Sequence, residues 1–458
     1  MAPSKAALWT TWINETLLED IRASDQPDPV PFLTTDDGAL ATTDALDQYR
    51  YGKNDGEYLY LIYLADKPIT TPADITPVYV GESRNIGARI YQHYKKLRDA
   101  LPIDDWEDDG SWGSFSKYDH LAAIRERADN RLHIWILDVN THETGPYGTA
   151  TYRHELEAKV IGLIHAHAEY RTTLTNREFV PNRVLHEIGT LGPEWLTTDP
   201  SAPDRSRVPP QEPIDTARHS KADLWRQWLE THVHPDLSDA TTADPIPVFA
   251  TDDQLRVKLT DAGRLKRSNT IDARIRAEGQ NCVHSKGVRD GDHEGLLYIM
   301  YQLTETENSD HPRIVPRYIG KAEAYGKKKE LSSNFTEIAA ERASTRSFAR
   351  WGEGDYWHVG ELSMALFEND TRKEPWASEL FEQGTRRLKE QVYLWTRAWN
   401  QQTHVGPYGY QASLAEVEPQ LIGLAQAAFP AHLLNKSGVP DDAPIHSTDF
   451  AFQTVQHP

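Results

Sequence analysis

Tyr58-Leu59-Tyr60-Leu61-Ile62-Tyr63-Leu64 and, further on, Tyr79-Val80-Gly81-Glu82-Ser83 are the two stretches whose reading decides the fold. The first is rich in Tyr, Leu and Ile and alternates weakly, as a half-buried strand does. Val78 to Val80 reads as the paired strand, ended by Gly81. The connection from Ala65 to Pro77 holds three prolines, which makes it a loop and not a tight hairpin.

Beyond the second stretch, the pattern predicts a helix from about Asn85 to Leu97. Ile86, Ile90, Tyr94 and Leu97 form its buried stripe at 3.6 residues per turn. Arg89 and His93 are i,i+4 neighbours on the shoulder of that stripe, beside Lys96, so both can point into a cleft next to the sheet. A further strand is expected over Leu132 to Val139, and a helix from roughly Thr151 to Ala168. On that helix Val160, Ile161, Ile164 and Ala168 share a face with Glu157, whereas Glu155 points almost opposite and reads as a surface residue. A carboxylate on an apolar face is costly unless a cation or hydrogen-bond donors meet it. Glu157 is therefore the better ligand candidate.

In chain order, Tyr60, Tyr79, Arg89, His93, Glu157 and Asn176 resemble the site of the GIY-YIG nuclease superfamily, which includes certain homing endonucleases, restriction enzymes and the excision-repair incision subunit. The resemblance implies phosphodiester hydrolysis. It assigns Tyr60 and Tyr79 to positioning and activating water, Arg89 to the scissile phosphate, and His93 to proton transfer or phosphate contact. Glu157 would hold Mg²⁺ or Mn²⁺, and Asn176 would fix the geometry of the site. These residue types suit the chemistry. An arginine fork matches phosphate, a bound cation acts as Lewis acid on the leaving oxygen, and tyrosine or histidine can take a proton.

The chain also repeats itself. Ser4-Lys5-Ala6-Ala7-Leu8-Trp9 returns as Ser220-Lys221-Ala222-Asp223-Leu224-Trp225, and Asp28-Pro29-Val30-Pro31 as Asp244-Pro245-Ile246-Pro247. Later anchors recur in the same order: Tyr60 as Tyr298, Tyr79-Val80-Gly81 as Tyr318-Ile319-Gly320, Gly145-Pro146-Tyr147-Gly148 as Gly406-Pro407-Tyr408-Gly409, Glu157 as Glu418, and Asn176 as Asn435. A period of about 220 residues means domain duplication and not a solenoid. The expected architecture is α+β, two tandem GIY-YIG-like domains, each a small, mostly antiparallel sheet flanked by helices, with N-terminal extensions. The first copy spans 1–196 with its core at 58–181, a Pro- and Ser-rich linker covers 197–219, and the second copy spans 220–458 with its core at 298–440.

The second copy keeps Tyr298, Tyr318, Glu418 and Asn435, with Glu418 as its metal candidate. It carries Lys328 where the resemblance expects Arg and Ser332 where it expects His, and Pro419 follows Glu418. Lysine neutralises a phosphate but cannot grip it through two nitrogens. This copy reads as impaired and retained to bind DNA through basic stretches at Arg264 to Arg276, Lys327 to Lys329 and Arg342 to Arg350. The retained residues also allow the reverse, two working sites that cut one strand each.

The formal net charge of −20 argues at first against DNA. It is reconciled either by a local basic groove or by the acidic composition of salt-loving microbes, where high salt suppresses counterion-release binding. A single cysteine, Cys282, excludes an internal disulfide and a cysteine-cage metal site. No apolar run approaches the roughly 20 residues that span a bilayer, and Met1 to Ala6 lacks the character of a signal peptide. The expected location is the cytoplasm, with DNA as partner, no membrane, and either a monomer with two pseudo-equivalent domains or a homodimer. The expected function is a Mg²⁺-dependent DNA endonuclease serving restriction or another defence role. The alternatives are a non-catalytic DNA-binding protein built from a duplicated nuclease fold and a structure-specific repair nuclease.

Overall fold

The computed structural model describes residues 3–23, 29–36, 39–41, 46, 49, 56–65, 68–100, 116–127, 132–141, 144–167, 170, 173–176, 178–180, 219–239, 245–283, 293–305, 312–325, 331–332, 335–339, 359–368 and 374–440. The chain is α+β, with helices packed on antiparallel sheets. Its residues group into two units, Met1–Arg218 with Tyr408–Gln420, and His219–Pro407 with Leu421–Pro458. An unbroken second domain over 220–458 is therefore not what the contacts give. Tyr408–Gln420 joins the first unit because its polar and aromatic side chains are satisfied there: the Tyr408 ring stacks on Tyr147 at 4.9 Å and its hydroxyl donates to Glu155 Oε1 at 3.0 Å. The linker over 197–218 and the basic stretches at 327–329 and 342–350 lie outside the described residues.

In the first unit the elements run α1 (Lys5–Glu15), α2 (Leu17–Ala23), the short pair β1 (Thr34–Asp36) and β2 (Ala39–Ala41), β3 (Tyr58–Ala65), β4 (Ile75–Ser83), α3 (Ile86–Arg98), α4 (Lys117–Arg127), β5 (Leu132–Asp138) and α5 (Arg153–His165). The main sheet has the order β4-β3-β5, and β3 is antiparallel to both neighbours, with Tyr60 opposite Gly81 and Ile136. Tyr60 and Ile62 join a core with Ile86, Ile90 and Leu97 of α3 and Leu121 and Ile124 of α4. The Asn85 side chain caps the start of α3 by accepting from Ala88 N at 2.9 Å. That cap fixes where the helix begins, and so which turn presents Arg89 and His93.

The second unit holds α6 (Lys221–His232), α7 (His234–Ser238), β6 (Ile246–Pro247), α8 (Asn269–Gln280), β7 (Gly295–Thr304), β8 (Arg313–Glu323), α9 (Thr336–Ala339), α10 (Val359–Phe367), α11 (Glu374–Leu380) and β9 (Tyr393–Trp399). α12 (Leu414–Ala428) starts in the segment that belongs to the first unit. The sheet order is β6-β9-β7-β8, with Tyr298 opposite Gly320 and Thr396.

The two units share local details. Each central hairpin carries one bulge, at Ile62/Tyr63 and at Met300/Tyr301, which leaves Val78 and Arg317 as the extra residues. The freed carbonyls of these residues accept from Thr175 N and Leu434 N, both at 2.7 Å. Each sheet also carries a tryptophan bonded to an aspartate of its own leading segment, Trp135 Nε1 to Asp20 at 2.8 Å and Trp395 Nε1 to Asp236 at 2.7 Å. Trp12 and Trp228 meet these tryptophans edge-on, at 5.8 Å and 5.7 Å. The described helices of the leading segments thus serve the domain cores through their aromatic faces.

Gly81 has a packing reason. A Cβ there would overlap the Tyr60 hydroxyl, and a Cβ at Gly320 would overlap that of Tyr298. Gly81→Ala forces Tyr60 to move or the hairpin to open. By the usual cost of overpacking, about 1–3 kcal/mol, the melting temperature followed by circular dichroism should fall by roughly 2–10 °C.

Candidate functional site

The site is built on β3, β4, α3 and α4. Tyr60 is fully buried at the middle of the sheet, and its hydroxyl lies 2.7 Å from His93 Nε2. Arg89 Nε donates to the same hydroxyl at 3.2 Å. Tyr79, its ring centroid 6.0 Å from that of Tyr60, accepts from Lys117 Nζ at 3.0 Å. The ammonium of Lys117 also lies over the Tyr79 ring, 4.8 Å from its centroid. His93 sits in an aromatic box, with ring centroids 5.3 Å from Tyr79, 5.6 Å from Tyr118 and 6.1 Å from Phe32. The fold thus brings Tyr60, Tyr79, Arg89 and His93 into one cluster and adds Lys117, which the sequence reading missed. The first turn of α4 carries no motif that would have marked it.

Burial dominates the acid–base character of this cluster. Burial raises both the Tyr60 and Tyr79 phenols above the usual range, partly offset by Arg89. Burial, then the charges of Arg89 and Lys117, push His93 down to about 3. The imidazole is therefore neutral across ordinary pH. An unfolded chain binds that proton near pH 6.5, so between about 6.5 and 3 the unfolded state holds more protons. Stability is accordingly lost as pH falls through that window. Denaturant titrations of wild type against His93→Gln should show the wild type declining more steeply from pH 6.5 to 4.

Glu157, on α5, is 4% exposed, and it is held with Glu82 and His154 in one group whose ligand atoms all lie within 4.8 Å of one another. His154 Nδ1 is 3.9 Å from Glu82 Oε1 and 3.9 Å from Glu157 Oε2. Glu82 is also ion-paired with Arg153, which Glu57 holds at 2.8 Å. Burial drives the Glu157 carboxyl well above the usual carboxylate range, reinforced by the charges of Glu82 and Glu178. Burial raises Glu82 too, but His154 and Arg153 beside it hold its carboxyl below the ordinary value. A divalent cation fits this donor set: two carboxylates and an imidazole, one carboxylate buried with no hydrogen bond among the described residues. Glu82 stood in the deciding stretch without being singled out, and His154 lies at i,i−3 to Glu157 on the same helix, a spacing that can bring two ligands together.

Asn176 touches no reacting group. Its side-chain oxygen accepts from Val80 N at 2.8 Å and its amide donates to Val80 O at 2.7 Å, so it extends the β4 edge as one strand residue would. This clamp holds the strand that carries Tyr79 and Glu82. Asn435 does the same for Ile319, at 3.0 and 2.8 Å.

Glu155 is not a surface residue. It is fully buried and paired with Lys159 at 2.6 Å. The 3.6-residue pattern predicts exposure on that side, but Tyr408 and the segment around it cover it, and only a long-range contact supplies them.

In the second copy Tyr298 and Tyr318 keep the same ring separation, 6.0 Å. Trp376 of α11, at 5.0 Å, packs on Tyr318 where His93 packs on Tyr79. Ser332 donates to the backbone oxygen of Glu323 at 2.7 Å, and Lys328 lies outside the described residues. Glu418 is half-buried in the segment belonging to the first unit. Aligned on the shared anchors, Lys321 stands at the place of Glu82 and Ala415 at that of His154. The stretch from Arg264 to Arg276, expected as a basic footprint, is largely committed internally. Arg264 pairs with Glu368 at 2.6 Å, Arg267 is 2% exposed and pairs with Asp272 at 2.7 Å, and Arg274 lies 3.6 Å from Asp236.

No helix among the described residues is long and apolar enough to cross a membrane. Comparison of the chain with protein-family models, with curated proteins and with solved structures finds no match.

Proposed function

We propose that this chain is a divalent-cation-dependent endonuclease that hydrolyses phosphodiester bonds in DNA, with its working site in the first copy and a restriction or other defence role. The observation that carries the reading is the convergence of Tyr60, Tyr79, Arg89 and His93 on one buried hydrogen-bonded cluster beside a carboxylate–imidazole group. Arg89 takes the scissile phosphate and offsets the charge that grows on its oxygens. Phosphate bound there cancels the repulsion that Arg89 exerts on a protonated His93, and so raises the proton affinity of the imidazole.

Water attacking phosphorus gives its proton to the Tyr60 oxygen as the Tyr60 proton passes to His93 Nε2, 2.7 Å away. The phosphorus–oxygen bond to the leaving strand breaks, that oxygen takes up a proton from solvent, and His93 gives the proton it received back to solvent through Tyr60. Lys117 fixes the Tyr79 hydroxyl, which shares in placing the water. A cation held by Glu157 would supply Lewis-acid stabilisation of the leaving oxygen. The second copy, whose Tyr318 is packed against Trp376 and whose aligned positions carry Lys321 and Ala415, does not cut.

The reading is tested by incubating supercoiled plasmid, branched DNA and RNA with the chain and Mg²⁺ or Mn²⁺ over a range of salt. Cleavage of plasmid supports it; DNA bound and never cut points to a binding protein; a preference for branched DNA points to repair. Lys117→Ala should lower the cleavage rate about 10- to 100-fold, as losing one oriented group does, with KM little changed.

A further inference from the structure

We propose that Glu82, His154 and Glu157 form a three-donor site that takes a first-row transition cation, Mn²⁺ or Co²⁺, in preference to Mg²⁺; this rests on reading Glu157 as the metal ligand. The donor chemistry argues for it. Mg²⁺ takes oxygen ligands in near-ideal octahedra and keeps several waters, whereas an imidazole nitrogen favours later first-row metals. His154 turns one nitrogen, Nδ1, toward both carboxylates, 3.9 Å from an oxygen of each. In a six-coordinate site with bonds near 2.1 Å, adjacent donors lie about 3 Å apart and opposite ones about 4.2 Å. The observed separations are close to that range, so small side-chain rotations close the site.

The surroundings are those of a built ligand shell. Glu157 is 4% exposed and, among the described residues, has no hydrogen bond; His154 Nδ1 stands 3.9 Å from its Oε2. The His154 ring meets Phe179 edge-on at 5.1 Å, which orients it. Arg153 engages the other oxygen of Glu82 and is itself held by Glu57, an outer layer of the kind that sets the direction of metal ligands. The second copy aligns Lys321 and Ala415 with Glu82 and His154, so the chain should bind one equivalent and not two.

The test uses the full chain without DNA. Mn²⁺ binding is followed by electron paramagnetic resonance, Co²⁺ binding by its visible absorption, and Mg²⁺ by competition, in wild type, His154→Ala, Glu82→Gln and Glu157→Gln, each checked for native circular dichroism. One tight Mn²⁺ equivalent is expected. His154→Ala should weaken Mn²⁺ at least about 10-fold while moving Mg²⁺ no more than about 2-fold, and Glu82→Gln should weaken both. Mn²⁺ affinity unchanged in His154→Ala and Glu82→Gln, or Mg²⁺ bound as tightly as Mn²⁺, would overturn the proposal. The two readings fail separately. A chain that binds Mn²⁺ through these residues and cuts no nucleic acid loses the nuclease function and keeps this site; one that cuts with Mg²⁺ and ignores His154 does the reverse.

Discussion

Glu157→Ala is expected to abolish cation-dependent DNA cleavage, lowering the rate at least about 10³-fold, while DNA affinity stays within a few-fold of wild type. A bound cation contributes several kcal/mol of transition-state stabilisation, and about 4 kcal/mol corresponds to that factor. Without Glu157 the group keeps one imidazole and Glu82, whose Oε2 Arg153 holds, and loses its buried carboxylate. The same burial makes a second, opposite effect on stability. The folded-state carboxyl of Glu157 is raised well above its unfolded value, so the folded chain binds that proton more tightly. Stability from this group is present below the usual carboxylate range and is lost as pH rises through its folded value. Glu157→Gln therefore removes a penalty in metal-free protein, and its melting temperature at pH 8 should exceed that of wild type by about 2–4 °C for each kcal/mol relieved. A variant that is inactive and more stable separates a functional role from a structural one.

Arg89→Ala is expected to lower the cleavage rate about 10²- to 10³-fold, the usual cost of deleting one charged group that stabilises a transition state. Arg89→Lys should recover little of it, because lysine restores the charge without the fork that lets Arg89 hold Tyr60 through Nε and offer its remaining nitrogens to phosphate. The loss should fall on kcat more than on KM, since the growing charge exists only in the transition state. Single-turnover rates against DNA affinity separate the two. Equal cleavage by Arg89→Ala and wild type would remove Arg89 from the chemistry.

What could be read from the sequence was local. The β3–β4 hairpin, the α3 helix and the shared face of Arg89 and His93 follow from alternation, prolines and a 3.6-residue stripe, all of which act over a few residues. The structure's pairing of Tyr60 with Gly81 follows from the same alternation, with one bulge that no residue announces. The duplication was readable because ordered anchors survive insertion. What could not be read depends on contacts across the chain. Lys117 reaches Tyr79 from a helix with no motif of its own. Glu155 is buried by residues more than two hundred positions away. His154 joins Glu157 and Glu82 only because α5 packs against β4. The basic stretch at Arg264–Arg276 shows the limit of charge reading, because sequence cannot tell a solvated arginine from one paired to Glu368 or Asp272.

The decisive measurement for a nuclease with one working site is a time course of supercoiled plasmid with Mn²⁺, run on wild type, Glu157→Ala and Glu418→Ala. A single working site in the first copy predicts open-circular product ahead of linear, halted by chelation, lost in Glu157→Ala and kept in Glu418→Ala. Equal loss in both variants would contradict the single working site, and intact plasmid with bound wild-type protein would contradict the nuclease itself.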